Sequence, residues 1–209
     1  WVVERVDEHA VEEGLIWPQS RASQLAGHVV GSVAGESVLD LCAAPGGKAT
    51  MLAGEVIAVD ASETRARELE ANVERLRASN VRVVRADGRE LPPELTGFDR
   101  ARVDAPCSGL GGLAARPDLR WASEPLPGLQ LELLRAAIAR VRAGGTLTYS
   151  VCTTNREECE DVIDALGLEA EPLGAEWPRF AHPGRPEFLQ TLPHVHGTSG
   201  FFVARLRVP

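Results

Sequence analysis

Short apolar runs alternate with amphipathic segments along most of the 209-residue chain. The apolar runs predict β-strands, and they lie at residues 37–41, 55–60, 81–86, 98–103, 146–151 and 200–206. The segments between them have helical spacing or suit a helix start, and they lie at residues 19–33, 48–53, 62–76, 129–141 and 155–166. This alternation predicts an α/β fold: an open, mostly parallel sheet, helices on both faces, and an antiparallel C-terminal strand at or near an edge.

The length of the chain suits one such domain with small extensions. Residues 1–17 are acidic and show little periodicity, so we predict no regular element there. We expect an N-terminal lead-in over residues 1–35 and one α/β domain over residues 36–209. The adjacent Gly144 and Gly145 are interpreted as the C-terminal cap of the helix that precedes them. Because the sequence begins with Trp1, we expect a fragment or a processed form.

Aspartates end or follow four of the predicted strands, and a small-residue turn follows the first of them. The acids are Asp40, Asp60, Asp87 and Asp104, and the turn runs from Cys42 to Lys48 as CAAPGGK. The carboxyl ends of parallel strands share one edge, where open α/β sheets bind nucleotide-like ligands against glycine-rich turns. An acid at the tip of the second strand typically binds ribose hydroxyls. The alternative is that these acids only solvate strand ends and cap helices.

Two cysteines, Cys107 and Cys152, stand just after predicted strands in polar Ser/Thr/Gly surroundings. In a parallel sheet both loops open on the edge that carries the glycine turn, so we expect the two thiols to lie close together and to take part in chemistry. A structural role is the usual alternative for a single cysteine, and we assign it to Cys42 and Cys159. A disulfide between the first two is geometrically feasible but disfavoured in a reducing compartment.

Composition and charge narrow the function classes. The net charge of −8 argues against a broadly basic protein that coats nucleic acid, although a local basic patch is compatible with it. The sequence has no apolar run of membrane-spanning length and no signal-peptide pattern, so we expect a cytoplasmic location with reduced thiols. Zinc binding by His182, His194 and His196 is disfavoured because no cysteine pair has zinc-ligand spacing, and we expect no metal.

The segment after Cys107 is a long predicted loop that reaches about Pro127. Loops of this length in compact domains are usually functional or mobile. The loop contains Arg116, Arg120 and Trp121, which could bind RNA through phosphate pairing and base stacking. The alternative is that these side chains pack within the loop or are simply solvated.

Three ordered motifs resemble the Nol/Nop/Sun family of RNA cytosine-5 methyltransferases. They are LDLCAAPGGK, VDAPCSGLG and YSVCTTN, and the resemblance extends to WPQSRASQLAG, RPDLRW and HGTSGFFVARL. The match covers most of the chain. It implies a Rossmann-like class I methyltransferase fold, with residues 36–209 as the catalytic domain.

The resemblance also implies S-adenosylmethionine as cofactor. By matching positions, the turn would wrap the methionine part of the cofactor through Cys42, Ala43, Ala44, Pro45, Gly46, Gly47 and Lys48. Asp60 would hold the ribose, Asp87 would hold the adenine edge, and Arg65 would orient Asp60. Asp104 completes the implied cofactor set.

The same family implies a two-cysteine mechanism on cytosine, in which Cys152 is the nucleophile and Cys107 helps to release the product. A thiolate that adds to carbon 6 makes carbon 5 able to accept a methyl group. Asp104 could hydrogen-bond the exocyclic amine and ring nitrogen 3, and Lys48 could lower a thiol pKa or support Asp104. The target base must be unstacked to enter such a site.

Two other functions remain open at this stage. A DNA cytosine-5 methyltransferase would use the cysteine of its Pro-Cys motif, here Cys107, as nucleophile. A non-catalytic ribosome-assembly factor would keep the cofactor fold and bind RNA without turnover. Ribosomal RNA is the first expected substrate and transfer RNA the second, and a monomer is plausible.

Overall fold

A seven-stranded sheet forms the centre of the protein, in a computed structural model that describes residues 6–209. The strand order is β3-β2-β1-β4-β5-β7-β6. The strands are β1 Ser37–Leu41, β2 Glu55–Asp60, β3 Val81–Arg85, β4 Phe98–Asp104, β5 Val141–Val151, β6 Leu189–Thr191 and β7 Phe201–Arg207. Neighbouring strands among β1 to β5 are parallel, whereas β7 is antiparallel to both β5 and β6. The predicted sheet is confirmed, and its antiparallel strand lies one place from the edge.

Helices cover both faces of this sheet. They are α1 Glu8–Glu12, α2 Arg21–Val29, α3 Glu63–Arg75, α4 Leu119–Ala122, α5 Pro127–Ile138, α6 Glu160–Asp164, α7 Leu173–Glu176 and α8 Pro193–His196. Alternate residues of β7 show the two faces, because successive strand side chains point to opposite sides. Phe201 and Val203 pack with Leu25 of α2, whereas Phe202 and Ala204 lie in the core that contains Leu134 of α5.

Short polar side chains start two of the helices, as their sequence suggests. The hydroxyl of Ser20 accepts a hydrogen bond from the backbone N–H of Ser23 in α2, and Ser62 does the same for Arg65 in α3. These caps satisfy N–H groups that have no partner inside the helix. Because α2 packs directly on β7, part of the predicted lead-in contributes to the core. The domain boundary at residue 35 itself stays a prediction.

Several predicted elements differ from the structure. The helix expected at 48–53 is only a 3₁₀ turn, Ala49–Met51. The helix expected at 155–166 is divided into a 3₁₀ turn, Arg156–Glu158, and α6. In the N-terminal segment expected to lack regular structure, α1 forms, capped by Asp7; residues 1–5 lie outside the described part. The long loop contains a 3₁₀ turn, Leu110–Gly112, and the single-turn helix α4.

The glycine pair was wrongly predicted to be a helix cap. Helix α5 ends at Ile138 and β5 begins at Val141, so Gly144 and Gly145 lie inside β5, where the pairing with β4 shifts register. Gly144 has φ +76°, and a Cβ on Gly145 would lie 2.6 Å from the carbonyl oxygen of Asp99. Glycine is therefore needed here for a bulge and a close backbone approach.

Across residues 6–209, none of the helices has the length and apolarity needed to cross a membrane.

Candidate active site

The turn after β1 is held in place by side chains from α3 and from the N-terminal segment. Arg65 donates from Nη2 to the carbonyl oxygen of Ala44 at 2.9 Å, and Asn72 donates from Nδ2 to that of Pro45, also at 2.9 Å. Gly47 has no room for a side chain, since a Cβ there would lie 2.1 Å from Nε1 of Trp17. The turn therefore has a fixed shape, with its backbone close to α3 on one side and to Trp17 on the other.

Asp60 connects the end of β2 to the same turn. Its side chain is 5% exposed and accepts hydrogen bonds from the backbone N–H of Ser62 at 3.1 Å and from that of Ala44 at 3.4 Å. Nη2 of Arg65 lies 3.4 Å from Oδ2 of Asp60. The carboxylate is thus oriented at the strand tip, with Arg65 beside it as the sequence motif implied.

A cavity of about 200 Å³ opens beside Asp60. Its walls are formed by Cys42, Val59, Asp60, Ala61, Ala86, Asp87, Gly88, Arg89, Pro106, Leu129 and Leu133. Arg89 hydrogen-bonds Asp87 and lowers the pKa of that carboxyl to about 2, so Asp87 is ionised. Two carboxylates therefore face apolar side chains of α5. Convergent polar groups on a mostly apolar wall are typical of small-molecule sites.

Four charged side chains form a chain across β1, β4 and the turn. Nζ of Lys48 lies 2.6 Å from Oδ2 of Asp104, Nη2 of Arg102 lies 3.3 Å from the same oxygen, and Nη1 of Arg102 lies 2.5 Å from Oδ2 of Asp40. Ser150 donates to Oδ1 of Asp104 at 2.6 Å. Burial opposes ionisation of Asp104, but Lys48 and Arg102 outweigh it and hold its pKa below the usual range.

Sequence reasoning missed Arg102. It lies in the strand run FDRARVD, beside other charged residues, and is only 1% exposed. A charged residue in a strand at the middle of a sheet is a usable signal, because parallel strands covered on both faces are usually apolar throughout.

A second cavity, of about 360 Å³, is lined in part by Lys48 and Asp104. It is lined by the Trp17–Ser20 segment, Ser23, the turn, Arg102 and Phe201 as well as by that ion pair. The ammonium of Lys48 lies 5.3 Å from the centre of the Phe201 ring. The cavity thus combines an aromatic face with a carboxylate and an ammonium.

The structure brings the two strand-tip cysteines together. Their Sγ atoms are 3.4 Å apart, and neither forms a disulfide. The two thiols share a hydrogen bond, which raises the pKa of Cys107 and lowers that of Cys152. The field of Lys48 lowers the pKa of Cys152 further, against burial and the charge of Asp104. Cys152 is therefore the thiol that ionises first.

The other two cysteines are held as neutral thiols. Burial raises the pKa of Cys42 to about 12, and it raises the pKa of Cys159 as well. Cys42 sits in the turn with φ +59° and borders the smaller cavity, so it contributes shape to the site.

Glu158 joins the two cysteine loops and was not singled out in the sequence analysis. It is fully buried and accepts hydrogen bonds from the backbone N–H of Ser108 at 2.9 Å and from Nε2 of Gln130 at 2.9 Å. The hydroxyl of Ser108 also donates to it and lies 3.0 Å from Oγ1 of Thr153. Ser108 and Thr153 each follow a cysteine, so this cluster fixes the separation of the thiols.

The long loop presents an aromatic side chain to solvent. Trp121 in α4 is 81% exposed, and Arg116 pairs with Asp118 at 2.7 Å. Two of the three histidines considered as zinc ligands have other partners: His182 lies 2.9 Å from Glu160, and Nδ1 of His196 accepts from the backbone N–H of Leu192. Within residues 6–209, no three His, Cys, Asp or Glu side chains are grouped to hold a metal ion.

Comparison with known proteins agrees with this geometry. The family model described as 16S rRNA methyltransferase RsmB/F matches residues 29–207. The tRNA (cytosine(72)-C(5))-methyltransferase of Pyrococcus horikoshii is 35% identical over 95% of this chain and 54% of its own length. Ribosomal RNA small subunit methyltransferase F of Escherichia coli O157:H7 is 37% identical over 98% of this chain and 49% of its own.

A solved structure extends the comparison to the cofactor. NSun6 from Pyrococcus horikoshii with SFG, an S-adenosylmethionine analogue, superposes with a TM-score of 0.81 at 34% identity, over 95% of this chain and 54% of that one. The present chain spans about half the length of the curated relatives that it matches.

Proposed function

The chain belongs to the RsmB/F family of 16S rRNA methyltransferases, and on that basis we propose that it methylates carbon 5 of a cytosine in RNA. The observation that carries this proposal is the 3.4 Å contact between the thiols of Cys107 and Cys152 at the strand edge that also holds the Lys48–Asp104 pair. Two free thiols of unequal acidity are what a covalent addition and a later elimination require.

The residues around the smaller cavity fit S-adenosylmethionine. Asp60 and Asp87 offer carboxylate acceptors for ribose and adenine donors, and Leu129 and Leu133 offer an apolar wall for a flat base. When bound, the cofactor supplies the methyl group that carbon 5 accepts. The turn from Cys42 to Lys48 is proposed to hold the methionine part, with Arg65 fixing Asp60 and Ala44.

We assign the target base to the larger cavity, beside the Lys48–Asp104 pair. Asp104 is ionised, so it accepts a hydrogen bond from the exocyclic amine of cytosine. Phe201 lines the same cavity and adds an apolar contact for the base. The base must leave its stack to reach this place, and Trp121, with Arg116 and Arg120 nearby in sequence, is proposed to hold the unpaired strand by stacking and phosphate contacts.

In the proposed reaction the Cys152 thiolate adds to carbon 6, and the new S–C bond raises the electron density at carbon 5. After carbon 5 has gained its methyl group, Cys107 loses its own proton to solvent and, as a thiolate, removes the proton from carbon 5. The electron pair left behind restores the ring double bond and expels Cys152 as a thiolate. Cys107 can act as a base at that stage because Cys152, now bound to carbon, no longer takes its hydrogen bond or repels its charge.

Adduct trapping tests the roles of the two cysteines. Incubated with S-adenosylmethionine and ribosomal RNA, Cys107→Ala should accumulate a covalent protein–RNA species on denaturing gels, and Cys152→Ala should form none. Cys159→Ala is the matched control, since that thiol is fully buried in the core at the start of α6 and the variant should turn over normally.

The reverse pattern would contradict the assignment and favour the chemistry of DNA cytosine-5 methyltransferases. Cofactor binding without adduct or turnover on any RNA would favour a binding-only assembly factor.

The substrate is proposed from the relatives. The family description names 16S rRNA, and one relative is named for cytosine 72 of tRNA, so we propose ribosomal RNA first and transfer RNA second. Bisulfite sequencing of both RNAs from a deletion strain and its parent identifies the cytosine. A cytoplasmic location fits a reaction that needs two reduced thiols.

A further inference from the structure

We propose that Arg102 is a positioning residue which, backed by Asp40, fixes the carboxylate of Asp104 from the interior of the sheet. This inference rests on the proposed function, because it concerns how the pocket for the target base is held. Of the two cavities, Arg102 borders only the larger one. Its ion pairs are with the carboxylates of Asp40 and Asp104.

The strand register puts the three residues on one face. Asp40 of β1 lies directly opposite Arg102 of β4. Arg102 and Asp104 are two apart on the same strand, so their side chains point to the same side. The guanidinium bridges them, with Nη1 2.5 Å from Asp40 and Nη2 3.3 Å from Asp104. This arrangement needs a planar head with separate donors, which arginine has and lysine lacks.

The buried pair is costly, which points to a role other than stability. Asp40 and Arg102 are 0% and 1% exposed, yet Oδ1 of Asp40 and Nε of Arg102 have no hydrogen-bond partner within residues 6–209. Buried ion pairs are often no more stabilising than apolar side chains of the same volume. What an apolar pair could not provide here is the second contact of the guanidinium, to Asp104.

Arg102 differs from Lys48 in how firmly it is anchored. Lys48 belongs to the turn around the cofactor site, whereas Arg102 and Ser150 project from paired central strands. Asp104 therefore has two of its three partners, Arg102 and Ser150, on the sheet itself and one, Lys48, on the turn. The charged and titratable groups facing it are Lys48 from the turn, Arg102 from β4 with Asp40 behind it, and the Cys152 thiol after β5. Loss of Arg102 leaves Asp104 more easily protonated.

Two variants test the inference, with one control. Arg102→Lys keeps the charge beside Asp40 but removes the bridge. The double variant Asp40→Asn/Arg102→Met removes both buried charges together and so avoids leaving one unpaired. Arg100→Lys is the control, because Arg100 stands on the same strand and face and makes a comparable two-pronged pair with Glu36, away from Asp104.

The first measurement needs no RNA. Carbon-13 NMR of the full chain follows the carboxyl of Asp104, assigned through Asp104→Asn, as the pH is lowered. We expect the titration of Asp104 to move to higher pH in both test variants and to stay unchanged in Arg100→Lys. An unchanged titration in folded Arg102→Lys and in the double variant overturns the inference.

The second measurement is kinetic and uses an RNA that the wild-type protein methylates. We expect kcat to fall about tenfold to hundredfold in Arg102→Lys, the acid limb of the kcat–pH profile to move to higher pH, and KM for S-adenosylmethionine to stay within about twofold. A purely structural role would lower the unfolding temperature without moving the acid limb, and that result also overturns the inference. If the wild-type protein methylates no RNA while the NMR shift is present, the proposed function fails and the placement of Asp104 by Arg102 stands.

Discussion

Glu158 is a buried carboxylate whose removal should destabilise the protein strongly. Two backbone N–H groups donate to it, that of Ser108 at 2.9 Å and that of Leu126 at 3.1 Å, together with Nε2 of Gln130 and the hydroxyl of Ser108. In Glu158→Ala these four donors lose their shared acceptor. Each buried donor left without a partner costs about 1–3 kcal/mol.

The expected magnitude follows from which donors can find another acceptor. The Ser108 hydroxyl can turn towards Thr153, 3.0 Å away, and Gln130 keeps its hydrogen bond to the carbonyl oxygen of Pro106. The N–H groups of Ser108 and Leu126 have no second acceptor within residues 6–209. Glu158→Ala should therefore lower the free energy of unfolding by about 2–6 kcal/mol, a large part of the total of about 5–15 kcal/mol typical of a domain.

Urea denaturation of matched variants measures this effect. Glu158→Gln keeps one carbonyl oxygen for the two N–H groups and should lose less than half as much. Glu157→Ala removes the exposed neighbour in the same turn and should change stability by no more than about 0.5 kcal/mol. If Glu158→Ala and Glu157→Ala unfold at the same urea concentration with equal slopes, the hydrogen-bond argument is wrong.

The same cluster should control the thiols. Because Glu158 holds the residue after Cys107 and, through Ser108, contacts the residue after Cys152, its loss should let the two loops separate. Glu158→Gln should slow diamide-driven formation of the Cys107–Cys152 disulfide relative to Glu157→Ala, as followed by mass spectrometry of the folded protein. Equal rates would show that the loops hold the thiols together without Glu158.

Three further predictions concern the turn and the charges around it. Gly47→Ala should lower the free energy of unfolding by about 1–3 kcal/mol and weaken S-adenosylmethionine binding in calorimetry, because the new Cβ would overlap the indole of Trp17. Gly112→Ala is the control and should have neither effect, because nothing lies within 4 Å of its new Cβ. Asp60→Asn should weaken cofactor binding by about tenfold with little change in unfolding temperature, as expected for a lost charge-assisted hydrogen bond, and wild-type affinity in the variant would remove Asp60 from the site. Lys48→Gln should raise the pKa of Cys152, because it removes a cation that favours the thiolate. Iodoacetamide alkylation of Cys152 should then reach its half-maximal rate at higher pH. An unchanged pH profile would mean that the hydrogen bond between the two thiols alone sets the acidity of Cys152.

That the strand-end residues lie together at one edge of the sheet could be predicted from the sequence, because this depends only on the order and direction of the strands. In a parallel sheet the carboxyl ends of neighbouring strands meet, so Asp104 at the end of β4 and Cys152 after β5 had to lie close together. The proximity of Cys107 and Cys152 followed from the same reasoning and is seen in the structure.

Features that depend on distant partners were not predicted. Gly144 and Gly145 give the same local signal for a helix cap and for a bulge, and the pairing of β5 with β4 decides between them. Strand β6 has three residues and forms only because β7 pairs with it. Arg102 and Glu158 look like ordinary solvated charges, and their burial depends on Asp40, 62 positions away, and on Ser108, 50 positions away.

The charged residues Lys48 and Glu158 also explain why the cysteines should not exchange roles. Besides the hydrogen bond between the thiols, Cys152 lies in the field of Lys48, whereas Cys107 lies in the field of Glu158, which favours the protonated thiol. In Cys152→Ala, Cys107 would lose a thiolate neighbour but would gain no cation. It would therefore remain a poor nucleophile at neutral pH, and Cys152→Ala should be inactive rather than slow. The order of the two thiols in the reaction is thus set by the charges around them, on two different strands and loops, as much as by their distance from the base.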